Sequence, residues 1–430
     1  MNYIKQLLYE LRNQKMVTWV SISGTALAIF LIMATFMADK ITNVSIAPES
    51  NRNRILKGQN IDFYSQDGSN GSGWGIDYNL AKRLYENLDG VERLSFIAYT
   101  WNPYDVGLPN QNTITAQGLE VDDEFWKIYD YKFISGSPFE KAEIEAEKKL
   151  AVITESTARE LFKETDVAGR DIDIDGQPYR IKGVVEDSFP LLPDGTIKVF
   201  TNFSTKGFES GFGDGFFGKS SVRLLLEPNA DPEKVKQQVE KRYADVNREI
   251  APEGKELRYH LQPYTSAELS SGSFGSNNDP KLKYKTRMKA LIYAILLLLP
   301  AINLSSMTQS RLQKRISEIG VRRAFGAKRR VIIFQIFTEN LILSFVGGVI
   351  GLGLSLIFIA FLSGYFVSVT DLNFNAITTF NLSPVIWQIF DFSVFFIAFG
   401  SCFVLNLLSA FVPAWRASAV EPAVAISKTR

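Results

Sequence analysis

Long apolar runs alternate with charged stretches along the chain, and this division is the strongest signal in the sequence. A helix needs roughly 20 apolar residues to cross about 30 Å of hydrocarbon. The runs that meet this length are Met16–Ala38, Ala290–Ser310, Val331–Val369 and Phe392–Val412. The only charge inside them is Glu339. A buried helix of a soluble core seldom stays uncharged over such lengths, so the pattern predicts four membrane-spanning helices.

Basic residues in the short flanking segments predict the orientation of these helices. The first run is too long for a cleaved signal peptide, so we interpret it as a retained anchor. Three basic residues precede it, and the segment 311–330 carries eight basic residues against one acid, Glu318. The segment 363–388 has no basic residue and one acid, Asp371. Because basic loops stay in the cytoplasm, both termini and 311–330 are predicted inside, and 39–287 and 363–388 outside.

The predicted organisation follows from these two patterns. Within the first segment, Ile4, Leu7, Leu8 and Leu11 share one helical face, which fits an interfacial helix or a short extension of the first span. The predicted segments are an interfacial helix with the first span (1–38), the outer domain (39–287), the second span (288–310), a cytoplasmic loop (311–330), the third span (331–362), a short outer loop (363–388), the fourth span (389–412) and a cytoplasmic tail (413–430).

The outer segment alternates between helical and strand-like patterns, which predicts an α+β domain. Apolar spacing predicts helices from Asp77, around Phe125–Tyr129, at Thr157–Phe162, and after Asp231, which can cap a helix with Pro232 at its first position. Strands are predicted from Leu94, at Leu150–Ile153, in a hairpin over Asp171–Val185, at Val222–Leu226 and at Arg258–Tyr264.

Composition limits the chemistry available to the chain. Its net charge of +1 gives no global basic field that would attract nucleic acid. Cys402, the single cysteine, lies in an apolar run, so no internal disulfide can form. With a single histidine, His260, a histidine-centred metal site or a catalytic triad is not expected. We therefore predict no cofactor, no metal and no catalytic residue.

Two segments match ligand-binding patterns without the structural context that those patterns require. Residues 213–220 read GDGFFGKS, a Walker A match, but a strand rather than a helix is predicted to follow. Residues 171–176 open like a calcium-binding loop, but its twelfth position is Lys182 instead of a bidentate Glu. We interpret the first segment as a plain loop and the second as a β-hairpin turning at Asp175-Gly176.

Three features of the membrane part stand out. The loop SEIGVRRAFGA (317–327) has an apolar side that a purely solvated basic loop does not need, so we interpret it as a short amphipathic element that docks on the cytoplasmic side. Glu339 either forms a buried bond to Gln335, a neighbouring span or a partner chain, or extends towards the basic loop. Gly347 and Gly351 form a GxxxG pattern that lets two helices approach closely.

Several segments together resemble the permeases of MacB-type ABC transporters, also called the FtsX-like or type VII class. EIGVRRAFGA and QIFTENLILSFVGGVIGLGLS resemble the loop and third span of that family, and PAWRASAVEPAVAIS resembles its C-terminal signature. KLAVITESTARELF and VAGRDIDIDGQPYRIKGVVED resemble its periplasmic core domain. MacB itself carries a fused ATPase, so the resemblance here is to permeases that recruit a separate one.

The resemblance implies an architecture and a mechanism. The outer domain would have Porter and Sabre subdomains in the periplasm, and the chain would lie in the bacterial inner membrane. Two permeases would pair over two cytoplasmic ATPases, with an adaptor and an outer-membrane channel as further partners beside the membrane lipids. ATP-driven motion would pass through the loop to the outer domain, a process called mechanotransmission. The loop residues that would contact the ATPase are Ser317, Glu318, Ile319, Gly320, Val321, Arg322, Arg323, Ala324, Phe325, Gly326 and Ala327.

The specific task stays open at this point. Within the family, export from the periplasm is the leading function, and lipoprotein release (as in LolC and LolE) or control of cell-wall hydrolases (as in FtsX) are alternatives. A sensory receptor with an outer ligand domain is the alternative from another class. Against it, no cytoplasmic segment exceeds about 20 residues, which is too short to fold as an output domain.

Overall fold

The structure of the protein is a computed structural model. The structure describes residues 15–41, 45–59, 61–66, 71–73, 75–100, 102–109, 113–188, 192, 194–203, 215–269, 283–284, 286–296, 298, 319, 321–322, 324–370 and 391–419. The chain divides into two compact units. One comprises the described parts of Met1–Asp39, Thr286–Phe361 and Ile386–Arg430, and the other those of Lys40–Lys285 and Leu362–Val385. We call them the membrane unit and the outer domain.

Both units contain helices. They are α1 (Lys15–Ile41), α2 (Tyr78–Tyr85), α3 (Phe125–Ile128), α4 (Lys141–Glu145), α5 (Glu155–Phe162), α6 (Pro232–Ile250), α7 (Ser266–Leu269), α8 (Arg329–Thr370) and α9 (Phe392–Ala419), and residues 286–296 are also helical. Short 3-10 turns cover Arg52–Arg54 and Ala251–Glu253.

Two helices in the described part of the chain are long and apolar enough to cross a membrane. The qualifying stretches are Thr18–Met37 in α1 and Arg329–Phe358 in α8. In α9, the apolar stretch Phe392–Val404 is shorter. The second predicted span, 288–310, lies largely outside the described residues. Four membrane spans therefore stay a prediction.

Two helices end later than predicted. The outer loop was expected from 363, but α8 continues to Thr370. The cytoplasmic tail was expected from 413, but α9 continues through Pro413 to Ala419. Gly364 and Pro413 are local stop signals that these helices override, and the alanines after Pro413 favour helix. The predicted interfacial helix, within 1–14, lies outside the described residues.

The strands belong to the outer domain. They are β1 (Ile55–Gly58), β2 (Ile61–Ser65), β3 (Gly71–Gly73), β4 (Val91–Tyr99), β5 (Tyr104–Gly107), β6 (Ile114–Ala116), β7 (Gly118–Val121), β8 (Phe133–Gly136), β9 (Leu150–Thr154), β10 (Asp171–Ile174), β11 (Gln177–Val185), β12 (Val199–Asn202), β13 (Ser220–Leu226) and β14 (Lys255–Arg258).

A large mixed sheet organises the outer domain. Its strands run in the order β1-β13-β4-β7-β12-β9-β11-β10-β5-β6, with β8 paired to β11. Only β9–β11 and β7–β12 are parallel within this order, and the other pairs are antiparallel. A smaller sheet has the order β14-β2-β3. The helices pack on these sheets, so the predicted α+β class is confirmed. The Porter and Sabre division stays a prediction.

Separate apolar cores form along the large sheet. In the first, α2 and α6 pack on one face of β13 through Leu84, Val239, Tyr243 and Leu224. A second core gathers aromatic side chains, with Phe125 and Phe200 buried and Trp126 packed against them. A third lies under α5 and the β10–β11 hairpin. Burial of these side chains stabilises the domain, at about 25 cal/mol per Å² of apolar surface.

Local sequence rules explain most of these elements. Asp231 caps α6 by accepting a hydrogen bond from the backbone N–H of Glu233 at 3.0 Å, with Pro232 at the first position. Asp175 and Gly176 both have positive φ, which the tight hairpin turn requires. One prediction is wrong: the strand expected at Arg258–Tyr264 is β14 at Lys255–Arg258 instead. Leu261 has a φ of +60° and Pro263 lacks an N–H, so the chain leaves the sheet after Arg258.

Candidate functional site

The basic loop before α8 begins with a residue that is packed, not free. Ile319 is 9 % exposed and forms a small apolar cluster with Ile332 and Ile336, which lie near the start of α8. Their spacing of four residues puts Ile332 and Ile336 on the same face of the helix. The loop is therefore held against the membrane unit from which it emerges.

A single helical turn follows Ile319. The backbone N–H of Phe325 donates to the carbonyl oxygen of Val321 at 3.1 Å, and that of Ala327 donates to Arg322 at 3.0 Å. Gly326 has a φ of +95°, and glycine adopts this left-handed conformation without strain, so the turn ends there. Of the other predicted coupling residues, Ser317, Glu318, Gly320 and Arg323 lie outside the described residues.

The turn presents one large apolar side chain outward. Phe325 is 88 % exposed, the highest value among the large apolar side chains that the structure describes. Arg322, in contrast, is half-buried, and its guanidinium donates from Nη1 to Oε1 of Gln335 on α8 at 3.0 Å. The structure thus separates an anchoring side of the loop, Ile319 and Arg322, from an outward side, Phe325.

Exposed cations surround the start of α8. Lys328, Arg329 and Arg330 are all exposed, and α8 begins at Arg329. Cations at a helix N-terminus oppose the helix dipole, at a cost of about 0.3–1 kcal/mol each. Helix stability therefore does not explain their position. The predicted topology gives these cations a role, since basic loops are retained in the cytoplasm.

Polar side chains line the buried side of α8. Glu339 is 6 % exposed, and Asn340 and Ser344 are also buried. The side chain of Glu339 is therefore buried in the membrane unit, and both predicted environments for it stay predictions. Gln335, one predicted partner of Glu339, accepts a hydrogen bond from Arg322.

The predicted GxxxG residues lie against α1. A Cβ added at Gly347 would be 2.8 Å from Cβ of Thr25, and one added at Gly351 would be 2.5 Å from the carbonyl oxygen of Ala26. Such separations are shorter than van der Waals contact, so the close approach of α8 and α1 depends on the missing side chains.

The Walker A-like segment has an ordinary structural explanation. Strand β13 starts at Ser220, where a phosphate-binding loop needs a helix N-terminus. Lys219 forms an ion pair with Glu120 at 2.6 Å. Gly218 runs beside strand-like residue Ile76, where an added Cβ would be 2.6 Å from the carbonyl oxygen of Ile76. The described residues of this segment, 215–220, therefore lead into β13 and form β-bridges to Ile76 through Phe217 and Ser220, and they do not form a nucleotide site.

Sequence reasoning missed a buried cluster of charges in the outer domain. Arg52, Lys57 and Arg223 are at most 2 % exposed, and they lie near two carboxylates, Glu49 and Asp194. Arg52 pairs with Glu49 at 2.5 Å, and Lys57 lies 3.5 Å from Glu49 and 3.9 Å from Asp194. These residues are scattered along the chain, so no local pattern could indicate the cluster.

A tyrosine extends this cluster. The Tyr99 hydroxyl donates to Asp194 at 2.7 Å and accepts from Arg223 at 2.6 Å. Burial raises the pKa of Asp194, but Lys57 and Arg223 outweigh it and hold that pKa below the usual value for aspartate. The cluster joins the segment just after α1 to β1, β13 and the turn before β12. Removing one partner of such a network typically costs 3–5 kcal/mol.

The chain belongs to the family of proteins with a MacB-like periplasmic core domain, which matches residues 18–242. Residues 290–422 match the FtsX-like permease C-terminal family. The protein is thus a member of the MacB-like and FtsX-like ABC transporter permeases, as its loop and tail segments indicated.

Curated relatives are similar at low identity. The macrolide export ATP-binding/permease protein MacB of Vibrio parahaemolyticus is 23% identical over 76% of this chain and 45% of its own length. The ABC transporter permease YknZ of Bacillus subtilis is 24% identical over 63% of this chain and 64% of its own. The pyoverdine export ATP-binding/permease protein PvdT of Pseudomonas fluorescens is 26% identical over 71% of this chain and 42% of its own. The chain therefore spans about half the length of these relatives.

Two solved structures are similar to part of this chain. A domain of a permease from Porphyromonas gingivalis matches 50% of this chain and 91% of its own, at 19% identity and a TM-score of 0.38. The periplasmic region of MacB from Actinobacillus actinomycetemcomitans matches 49% of this chain and 91% of its own, at 12% identity and a TM-score of 0.34.

Proposed function

We propose that this permease transmits ATP-driven motion from a cytoplasmic ABC ATPase to its outer domain. In this proposal the chain lies in the bacterial inner membrane with the outer domain in the periplasm, and pairs with a second permease. ATP is hydrolysed by the partner ATPase, and the permease itself catalyses no reaction. The geometry of 319–327 supports the proposal, because the loop is anchored to a membrane helix on one side and exposes Phe325 on the other.

The chemistry of the exposed ring argues for a protein partner. Exposing an aromatic side chain to water is unfavourable, and Phe325 is 88 % exposed in a basic loop. If it enters an apolar pocket of the ATPase, an aromatic anchor of this kind contributes 2 kcal/mol or more to binding, whereas an exposed ion pair contributes about 0–1 kcal/mol. The ring of Phe325 is therefore the expected centre of the contact, and the surrounding cations are its rim.

We further propose export from the periplasm as the task, with an adaptor and an outer-membrane channel as partners. Two relatives, a macrolide exporter and a pyoverdine exporter, support this direction. Lipoprotein release and regulation of cell-wall hydrolases are the alternatives within the family.

Phe325→Ala tests the coupling role. We expect the variant to insert and fold normally, while copurification of the ATPase and substrate-stimulated ATP turnover in membranes fall about tenfold or more, because a loss of 2 kcal/mol exceeds one factor of 10. The matched control is Phe361→Ala, which removes another exposed phenylalanine, 55 % exposed, far along α8. Equal turnover in the two variants and the parent protein would contradict the proposal.

A further inference from the structure

We infer that Gln335 is a positioning residue, which fixes the loop 319–327 to α8 and so sets the direction in which Phe325 points. The inference rests on the proposed coupling function for its consequence, but its structural part stands on contacts within the membrane unit. The relevant contacts are the hydrogen bond from Arg322 to Gln335 and the packing of Ile319 on Ile332 and Ile336.

The two contacts restrain different movements of the loop. Ile319 gives a non-directional apolar contact at the start of the turn, around which the turn can still rotate. The hydrogen bond joins Nη1 of Arg322 to Oε1 of Gln335 at 3.0 Å, and it is directional because such bonds weaken steeply away from linear geometry. Two attachment points of different kinds, one just before the turn and one within it, fix the orientation of the turn.

The position of Phe325 depends on this orientation. Its own N–H is bonded to Val321 and the N–H of Ala327 is bonded to Arg322, so the backbone of the turn is tied directly to the residue that Gln335 holds. No described contact restrains the Phe325 ring itself, which is 88 % exposed. A change in the Arg322–Gln335 bond would therefore redirect the ring without altering α8.

Gln335 also determines what Arg322 can do. A guanidinium engaged with an amide on α8 is less available as the main electrostatic contact to a partner. This predicts that Arg322 acts within the loop, and that the docking energy comes from Phe325. The role assigned to Gln335 is one of holding geometry, because it lies on α8 behind the turn.

The test compares Gln335→Leu with Gln335→Glu in the full-length protein in nanodiscs. Leucine and glutamine have similar helix propensities, so α8 is retained, while leucine removes the acceptor for Arg322. Glutamate keeps an acceptor of the same length. Hydrogen exchange at the amides of Phe325 and Ala327 should be about 5- to 10-fold faster in Gln335→Leu and close to the parent rate in Gln335→Glu.

Turnover measurements separate this inference from the proposed function. Gln335→Leu should lower substrate-stimulated ATP turnover, and Gln335→Glu should keep it near the parent value. Phe325→Ala should lower ATP turnover while hydrogen exchange stays unchanged. Unchanged hydrogen exchange in Gln335→Leu overturns the inference. The inference is also overturned if Gln335→Leu exchanges faster but keeps full ATP turnover while Phe325→Ala loses it. If exchange is faster but neither Gln335→Leu nor Phe325→Ala affects turnover, the anchoring role stands and the proposed coupling function fails.

Discussion

The contact between α8 and α1 gives a sharp prediction, because the chain supplies its own control. Gly351 and Gly353 lie on the same helix, two residues apart. A Cβ added at Gly351 would be 2.5 Å from the carbonyl oxygen of Ala26 and 3.1 Å from Cβ of Ile29. A Cβ added at Gly353 would meet no atom within 4 Å. The substitutions Gly351→Ala and Gly353→Ala therefore differ only in packing.

The expected difference in the free energy of unfolding follows from two effects. Replacing glycine by alanine inside a helix is favourable by roughly 0.8–1 kcal/mol at both positions. At Gly351 the added methyl group overpacks the contact with α1, at a cost of about 1–3 kcal/mol. The carbonyl of Ala26 belongs to the backbone and cannot rotate away, so the upper part of that range is expected. Gly351→Ala should thus be about 2–3 kcal/mol less stable than Gly353→Ala.

The assay is unfolding of the full-length protein in mixed micelles of increasing denaturing detergent. Both variants and the parent are compared under identical lipid and protein concentrations. Gly353→Ala should unfold at or above the parent midpoint, and Gly351→Ala should unfold well below it. Equal midpoints for the two variants would show that α8 and α1 do not touch at Gly351, and would refute the packing described here.

Three further predictions follow from the structure. Lys219→Ala should leave nucleotide binding and ATP turnover unchanged and cost at most about 1 kcal/mol, because Lys219 forms a partly exposed pair with Glu120; loss of ATP binding by the purified protein would contradict this. Burial raises the pKa of Asp122 to about 7, against hydrogen bonds from Phe96, Ser95 and Phe125 that lower it. The native state then binds more protons than the unfolded chain between about pH 4 and 7, so the free energy of unfolding should fall as pH rises through that range; hydrogen exchange of outer-domain amides, corrected for intrinsic rates, checks the sign, and a rise would contradict it. Cysteines at positions 141 and 375 should react with an impermeant reagent from outside and one at 320 should not, and position 141 suits the test because the Lys141 side chain is 76% exposed; outside labelling of 320 would contradict the predicted topology.

The elements that the sequence predicted well are those specified by neighbouring residues. Helix α6 depends on the Asp231 cap and on Pro232, and the hairpin depends on Asp175-Gly176. Strand β14 was misplaced because its end is set by the positive φ of Leu261, a residue that rarely adopts it. Local pattern therefore predicts an element's type better than the residue at which it ends.

The site was predictable only in part for a related reason. Apolar residues in a basic loop indicated docking, and the GxxxG spacing indicated close packing. The sequence did not predict that Ile319 and Arg322 anchor the loop while Phe325 is exposed, because the anchoring depends on contacts with α8. The buried charges around Glu49 and Asp194 were likewise invisible, since they meet only after the sheet has formed.

Direct contact between Phe325 and an ATPase is the central claim of this account, and cross-linking tests it most directly. Cys402 is the only native cysteine, so a Cys402→Ser background allows one cysteine to be placed at Phe325 and, as a control, at Phe361. In membranes, a short thiol-reactive photo-cross-linker at 325 should give a product that also carries an azido-ATP label, whereas the same reagent at 361 should not. Absence of that product at 325, or equal yields at both positions, would contradict the coupling role of the loop.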